Sequence, residues 1–283
     1  MKNYLVTSRG IEIHNVESLN LAETFECGQC FRWNNNSDGS FRGVAFGKEL
    51  TVRMENQTLI LENSTEEDFK NLWHDYFDLD LNYDKIKQEL CKGDKILSKA
   101  AEFAPGIRIL KQDPWETLCS FLFSQKNTIP RIKAIISRFC QKFGEKCGSG
   151  DFAYSFPSPQ TVANLSVDDL TSTRCGFRAE FAIKAAQMVC DGEINFDEIK
   201  NMSNDEARKK LITIKGCGPK IAECTLLYGM HRLDAFPIDV WIGRAMYKLY
   251  PGKGPEIFGK YAGIAQQYIF YYSRSNPQLF SKI

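Results

Sequence analysis

Alternation dominates the first quarter of the chain. Leu50, Val52 and Met54 alternate with polar residues, and Leu59 and Leu61 resume that period after a turn near Asn56. A period of two marks a strand with one buried face. Upstream, Cys30 to Trp33 predicts a short strand start, the polar run 34–40 a turn, and Phe41 to Phe46 a second apolar run. These segments predict an antiparallel meander. At Ser64 the period becomes helical. Ser64, Thr65, Glu66 and Glu67 open a helix that runs through Trp73 and Tyr76. Further helices are predicted over Tyr83 to Cys91 and Asp94 to Phe103, and Pro105 and Gly106 break the pattern. Asp113, Pro114 and Glu116 supply an N-cap, a first-turn proline and a carboxylate at the third helical position. Beyond them only helices and short loops are expected. The fold class is therefore α+β, an N-terminal antiparallel β-sheet followed by an all-α bundle. We expect a sheet domain with flanking helices over 1–112 and a helical domain over 113–283. No repeat or low-complexity linker interrupts the chain.

Composition narrows the classes of partner. The chain has 283 residues, 43% apolar and 25% charged, enough to bury a core of ordinary globular type. Its formal net charge of +1 means that any nucleic-acid site must come from local clustering. The first ten residues carry no apolar h-region, and no apolar run reaches membrane-spanning length. We expect a cytoplasmic monomer from a bacterium or archaeon, nucleoid-associated when bound to DNA, with no membrane partner. The ten cysteines are scattered and read as buried, reduced thiols. Cys27 and Cys30 form a lone C-x-x-C, and His14, His74 and His231 lie far apart. That spacing disfavours zinc, and no catalytic cofactor is expected.

The chemistry concentrates between Leu211 and Cys224. An amphipathic helix from about Asn204 runs into a tight turn at Gly216, Cys217 and Gly218, and Pro219 starts a second helix. Glycines permit backbone angles that other residues resist. Free N–H groups at such a helix start can seat a DNA phosphate without reading sequence. Lys209, Lys210 and Lys215 add positive charge nearby. Taken alone, the segment is equally an ordinary glycine-rich turn with solvated lysines, or a hairpin that only binds DNA. What changes the balance is Asp239, behind Pro237 and Ile238, which is placed to N-cap a new helix with fixed geometry.

With Lys220 and this distal aspartate, the chain from about Leu19 to Tyr272 resembles the helix-hairpin-helix DNA glycosylases, and most closely the 8-oxoguanine DNA glycosylase/AP lyases. The resemblance implies a TATA-binding-protein-like sheet before the helical bundle. It also implies base excision repair of damaged double-stranded DNA. Lys220 would be the nucleophile: a helix start and partial burial both disfavour an ammonium, which frees some amine. That amine would attack C1′ of a deoxyribose, expel the base, form a Schiff base and permit β-elimination. Asp239 would stabilise the sugar cation and help deprotonate the lysine.

The same resemblance assigns the base pocket. The target must leave the duplex stack. Residues 26–33 are similar to the family's Gly-Gln-x-Phe-Arg-Trp stretch, which gives the Gly28 carbonyl the discriminating contact. 8-Oxoguanine carries a hydrogen on N7 where guanine carries a lone pair, so a carbonyl attracts one and repels the other. Gln266 and Phe270 share a helix face and would read the Watson–Crick edge and stack on the base. Cys224 would line the other side, and Pro237 completes the set. Without the resemblance, Phe270 reads as core, Gln266 as exposed, Cys224 as packing and Gly28 as a strand-entry glycine.

Residues 123–132 and 176–179 are similar to the two loops that enter the duplex. Arg131 and Arg178 would grip the orphaned cytosine, Phe177 would wedge beside it, Lys126 would stand at the vacated space, and Asn127 would be a further DNA contact. This chain departs from the familiar eukaryotic pattern. Lys126 stands in place of an asparagine, Phe177 of a tyrosine and Trp241 of a phosphate-binding histidine. These changes predict relaxed selectivity for the opposite base. The family's hairpin also implies a structural monovalent or calcium ion on the carbonyls of Ile212, Ile214 and Cys217. Two alternatives remain: an alkylpurine glycosylase of the same superfamily, which typically lacks the lysine, and a non-catalytic hairpin module. No cysteine follows Cys224, which disfavours the iron–sulfur branch.

Overall fold

The computed structural model describes residues 3–280. Six strands form one antiparallel sheet: β1 (Tyr4–Thr7), β2 (Gly10–Ile13), β3 (Trp33–Asn35), β4 (Phe41–Ala45), β5 (Lys48–Glu55) and β6 (Thr58–Glu62), in the order β1-β2-β6-β5-β4-β3. Val52 stands opposite Phe41 on one side and Leu61 on the other. The alternation therefore sends Leu50, Val52, Leu59 and Leu61 to one buried face with Ile11 and Ile13. That face packs on Phe25, Trp33, Trp73 and Phe77. Phe25 and Trp33 stack with centroids 4.3 Å apart.

Several expectations need adjustment. The predicted strand start at Cys30 begins instead at Trp33, because the residues before it form an irregular turn around Gly28. The two N-terminal strands escape the pattern reading because each is only four residues long, and Leu5 and Val6 on the edge strand are exposed. Helix α1 (Leu21–Glu26) is also too short for periodicity, yet it is locally encoded: the Asn20 side chain accepts from the Glu23 N–H at 3.1 Å. The next helix, α2, spans 66–76, with Thr65 rather than Ser64 as its cap. Its middle turn, Phe69–Trp73, is a π turn, and both of those rings reach the sheet core.

Helices α3 (Tyr83–Cys91) and α4 (Lys95–Phe103) form where the period placed them, α4 behind its Asp94 cap. Ile86, Leu97 and Ala100 join the core of the helical layer. Helix α5 (Pro114–Phe123) begins as read, with Asp113 accepting from the Glu116 N–H at 2.7 Å. Then come α6 (Ile129–Phe143), α7 (Arg178–Cys190), α8 (Asn204–Ile212), α9 (Pro219–Cys224), α10 (Val240–Leu249) and α11 (Ala262–Ser275). One isolated bridge, Lys146 to Tyr154, departs from the helices-and-loops expectation. Among the described residues, no helix is long and apolar enough to cross a membrane.

Polar groups lock sheet to helices. Arg32 forms a buried ion pair with Glu116 at 3.0 Å. Arg108 is 2% exposed and donates to the carbonyls of Glu17, Ser18 and Asp78. Gln29 is as deeply buried. Its Nε2 donates to the carbonyls of Thr24 (2.8 Å) and Arg108 (2.7 Å), and its Oε1 accepts from the Leu110 N–H (2.9 Å). Replacing this amide leaves the Arg108 carbonyl and the Leu110 N–H unpaired, while the Thr24 carbonyl keeps only the Cys27 thiol. We expect Gln29→Ala to lose about 2–4 kcal/mol, read as a lower urea midpoint with unchanged slope. An unaltered midpoint would contradict this account of the turn.

Candidate active site

The site is built around three chain reversals. The first is at Gly28. Helix α1 ends at Cys27, and Gly28 follows in the left-handed region at φ +87, the ordinary use of glycine after a helix C-cap. It is therefore a helix-end glycine, not a strand-entry one. A Cβ there would lie 3.4 Å from the Ile129 side chain and 3.5 Å from the Phe270 ring. Residues far apart in sequence thus meet at one wall.

The second reversal is the hairpin. Ser203 and Glu206 make a reciprocal capping box for α8, and the turn leads into α9 with Pro219 in its first turn. Gly216 sits at φ +85, and a Cβ on it would strike the Phe181 ring at 2.5 Å. Gly218 does not share that need: its φ of −84 is open to any residue, so the sequence reading of two conformationally required glycines holds for Gly216 alone. A Cβ at Gly218 would point into open space. Lys215 pairs with Glu180 at 2.5 Å, which offsets part of the expected positive cluster. After α9 the chain continues through a π turn, Thr225–Gly229.

The third is the approach to α10. Asp239 is its N-cap, and the carboxylate accepts from the Ile242 N–H at 2.8 Å. Glu223, 8% exposed, fixes this segment to the hairpin: one oxygen accepts from Arg208 of α8, the other from the Phe236 N–H at 2.7 Å. Sequence reading missed Glu223, Gln29 and Gln267. A buried polar residue with a remote partner leaves no local signature.

These reversals surround a cleft of 1210 Å³. Gly28, Lys126, Asn127, Lys220, Asp239 and Phe270 all line it. The Lys220 amine lies 3.4 Å from the Ser124 hydroxyl and 4.6 Å from the centre of the Phe121 ring. It forms no ion pair with Asp239, whose carboxylate bonds, among the described residues, only to its own helix. Cys224 and Gln266 sit behind the wall, not on it. Cys224 is 2% exposed, and burial pushes its thiol up to about 11, with Lys220 acting in the opposite direction. Gln266 is buried where the simpler reading exposed it, and Phe270 is half-buried where that reading made it core. The Gln266 Nε2 donates to the carbonyl of Pro237 at 3.1 Å, while its Oε1 is buried without a partner among the described residues.

On the opposite-strand side, the two arginines differ. Arg131 is exposed, with no hydrogen bond to other described residues. Arg178 is 7% exposed and commits its guanidinium to the carbonyls of Cys175, Gln125 and Lys126. Burial, and after it Arg131, lowers its pKa from the usual arginine value. Arg178 thus braces the 124–128 loop. That loop needs a brace, because Lys126 adopts φ +46, a region a lysine rarely enters. Phe177 is 55% exposed and edge-on to Phe181. Asn127 caps α5, donating to the Phe123 carbonyl at 3.2 Å.

At the hairpin, the carbonyls of Ile212, Ile214 and Cys217 that the resemblance singles out are neutral oxygen donors. Ile214 already accepts from the Cys217 N–H at 2.9 Å and keeps a second lone pair. Such a set fits a hard or monovalent cation. No cluster of three histidine, cysteine or acidic side chains among the described residues could hold a metal.

Comparison with known proteins agrees with this geometry. The family model described as "8-oxoguanine DNA glycosylase, N-terminal domain" matches residues 12–118, and "HhH-GPD superfamily base excision DNA repair protein" matches residues 119–257. The chain is 44% identical to MBOgg1, solved in complex with a low affinity DNA ligand; the match covers 97% of this chain and 99% of that one, with a TM-score of 0.91. It is 36% identical to the Clostridium acetobutylicum 8-oxoguanine glycosylase/lyase, solved with dsDNA containing cytosine opposite to 8-oxoG, covering 98% and 99% at a TM-score of 0.92. The N-glycosylase/DNA lyase of Saccharomyces cerevisiae is 28% identical over 263 residues, 83% of this chain and 69% of that protein.

A thiol that titrates only near pH 11 is no nucleophile at neutral pH. In native protein at about pH 8, iodoacetamide should label the exposed Cys190 and spare Cys224, as read by peptide mapping. Labelling of Cys224 as fast as Cys190 would show that its pocket is open.

Proposed function

Given that this chain belongs to the 8-oxoguanine DNA glycosylase family of helix-hairpin-helix repair proteins, we propose that it removes 8-oxoguanine from duplex DNA with Lys220 as nucleophile and Asp239 as its carboxylate partner. The observation that carries this reading is the meeting of Lys220, Asp239, Gly28 and Phe270 in one cleft. The enzyme is a bifunctional glycosylase/AP lyase, and its partner is damaged double-stranded DNA. It acts as a monomer on nucleoid DNA in the cytoplasm.

The everted base enters between the Gly28 turn and α11, with Phe270 on its face. The Gly28 carbonyl accepts from N7–H, while Gln266, behind the wall, holds the Pro237 carbonyl. The Lys220 amine attacks C1′, the C1′–N9 bond breaks, and the electron pair leaves with the base. Asp239 stabilises the positive charge that builds on the sugar. The secondary amine then opens the sugar ring to a Schiff base. Loss of the 2′ proton expels the 3′ phosphate by β-elimination, and water releases Lys220.

The hairpin N–H groups around Gly216 and Gly218 hold a backbone phosphate, and a cation on the Ile212, Ile214 and Cys217 carbonyls would stiffen that turn. Across the gap, Phe177 wedges and Arg131 meets the opposite base, with the loop held by Arg178. An alkylpurine glycosylase would have no use for Lys220, and a pure binding module none for the pocket.

Borohydride should trap wild-type protein on an 8-oxoguanine duplex. Lys220→Gln should abolish trapping and slow cleavage about a thousandfold or more, while duplex binding persists. Asp239→Asn should slow it about a hundredfold. Trapping that survives in Lys220→Gln would assign the nucleophile elsewhere. With Lys126 in the gap and Arg178 committed to the loop, single-turnover rates should be comparable for the lesion opposite cytosine, adenine and thymine. A strong preference for cytosine refutes that part of the reading.

A further inference from the structure

Gln266, Phe270 and Arg274 recur every fourth residue along α11 and so share one face. Phe270 and Arg274 both line the cleft. The Arg274 Nη2 donates to the Glu26 carbonyl at 3.0 Å, and the guanidinium lies 5.4 Å from the centre of the Phe270 ring. Its other terminal nitrogen, Nη1, is buried without a hydrogen-bond partner among the described residues. It stands 3.8 Å from where a Cβ on Gly28 would be. An arginine stays charged in a protein, and a charged N–H shielded from water and left unmatched is costly. Such a group in a cleft wall is one that a ligand completes.

We propose that Arg274 is a specificity-determining residue. Its Nη1 donates a hydrogen bond to a carbonyl oxygen of the everted base, on the edge whose N7 hydrogen meets the Gly28 carbonyl. The proposal rests on the 8-oxoguanine reading and deepens it. In 8-oxoguanine the N7–H is flanked by two carbonyl oxygens, O6 and O8. An acceptor at Gly28 beside a donor at Arg274 matches that alternation of hydrogen and oxygen. Adenine offers neither oxygen and a lone pair at N7, so it satisfies neither group. Guanine offers O6 to the arginine but turns the N7 lone pair on the Gly28 carbonyl. Two contacts fix the donor in position. The Glu26 carbonyl anchors one end of the guanidinium, and the Phe270 ring supports it by a cation–π contact.

If Arg274 only tied α11 to Glu26, its loss would weaken every reaction of the enzyme alike. A preformed abasic site carries no base, so it separates the two roles. For Arg274→Met, single-turnover excision of 8-oxoguanine should fall about tenfold or more relative to nicking of an abasic duplex by the same preparation. Arg274→Lys keeps a cationic donor and should recover part of that ratio. An unchanged ratio in Arg274→Met overturns the proposal, whether both rates fall together or neither does. So does an Arg274→Lys ratio no better than that of Arg274→Met. Wild-type protein that nicks abasic duplex but releases no 8-oxoguanine would remove the underlying reading instead.

Discussion

One side-chain amide holds the two halves of the pocket together. Gln267 is fully buried; its Nε2 donates to the Cys27 carbonyl at 2.9 Å, across 240 positions of sequence, and its Oε1 accepts from the Tyr228 hydroxyl at 2.5 Å. An amide that donates at one end and accepts at the other can satisfy both partners in one orientation only. The rotation of α11 is thereby set against the Gly28 turn and against the helix that follows Lys220. Water cannot substitute at such a depth. Gln266, about 100° round the helix, adds the Pro237 carbonyl, and Arg274 adds that of Glu26. The face that receives the base is a by-product of these bonds.

The reacting groups are held by the same means. Lys220 and Asp239 lie at two helix starts, each rigid by local geometry, but nothing local relates one helix to the other. Glu223 does so, with one carboxylate gripping α8 and the segment that leads into Asp239. Ser124 and Phe121 then offer the lysine amine a polar and an aromatic neighbour. Lys220 and Asp239 thus line one cleft without pairing to each other.

The opposite-strand side is organised differently. One arginine is committed to the protein and the other is left exposed. Arg178 closes the loop that carries Lys126 in a strained backbone conformation, and Arg131 is left exposed. Strain of this kind persists only where surrounding bonds over-determine it. Selectivity there depends on a loop shape as much as on the side chains at its tip.

Local codes were legible from the residues alone. Alternation at Leu50, Val52, Leu59 and Leu61, the Asp113 cap with Pro114, the bend at Gly216 and the Asp239 cap each act within a few positions, where side-chain period and backbone geometry are set. They were enough to read an α+β chain and to place Asp239 at a helix start; its pairing with Lys220 came from the family resemblance. The short strands β1 and β2 and helix α1 were not legible, because a period needs more residues than they have. Nor were Gln29, Glu223, Gln267 and Arg274, or the difference in setting between the exposed Arg131 and the loop-bound Arg178. A buried polar group is defined by its partner, and these partners lie in distant parts of the chain that only packing brings together.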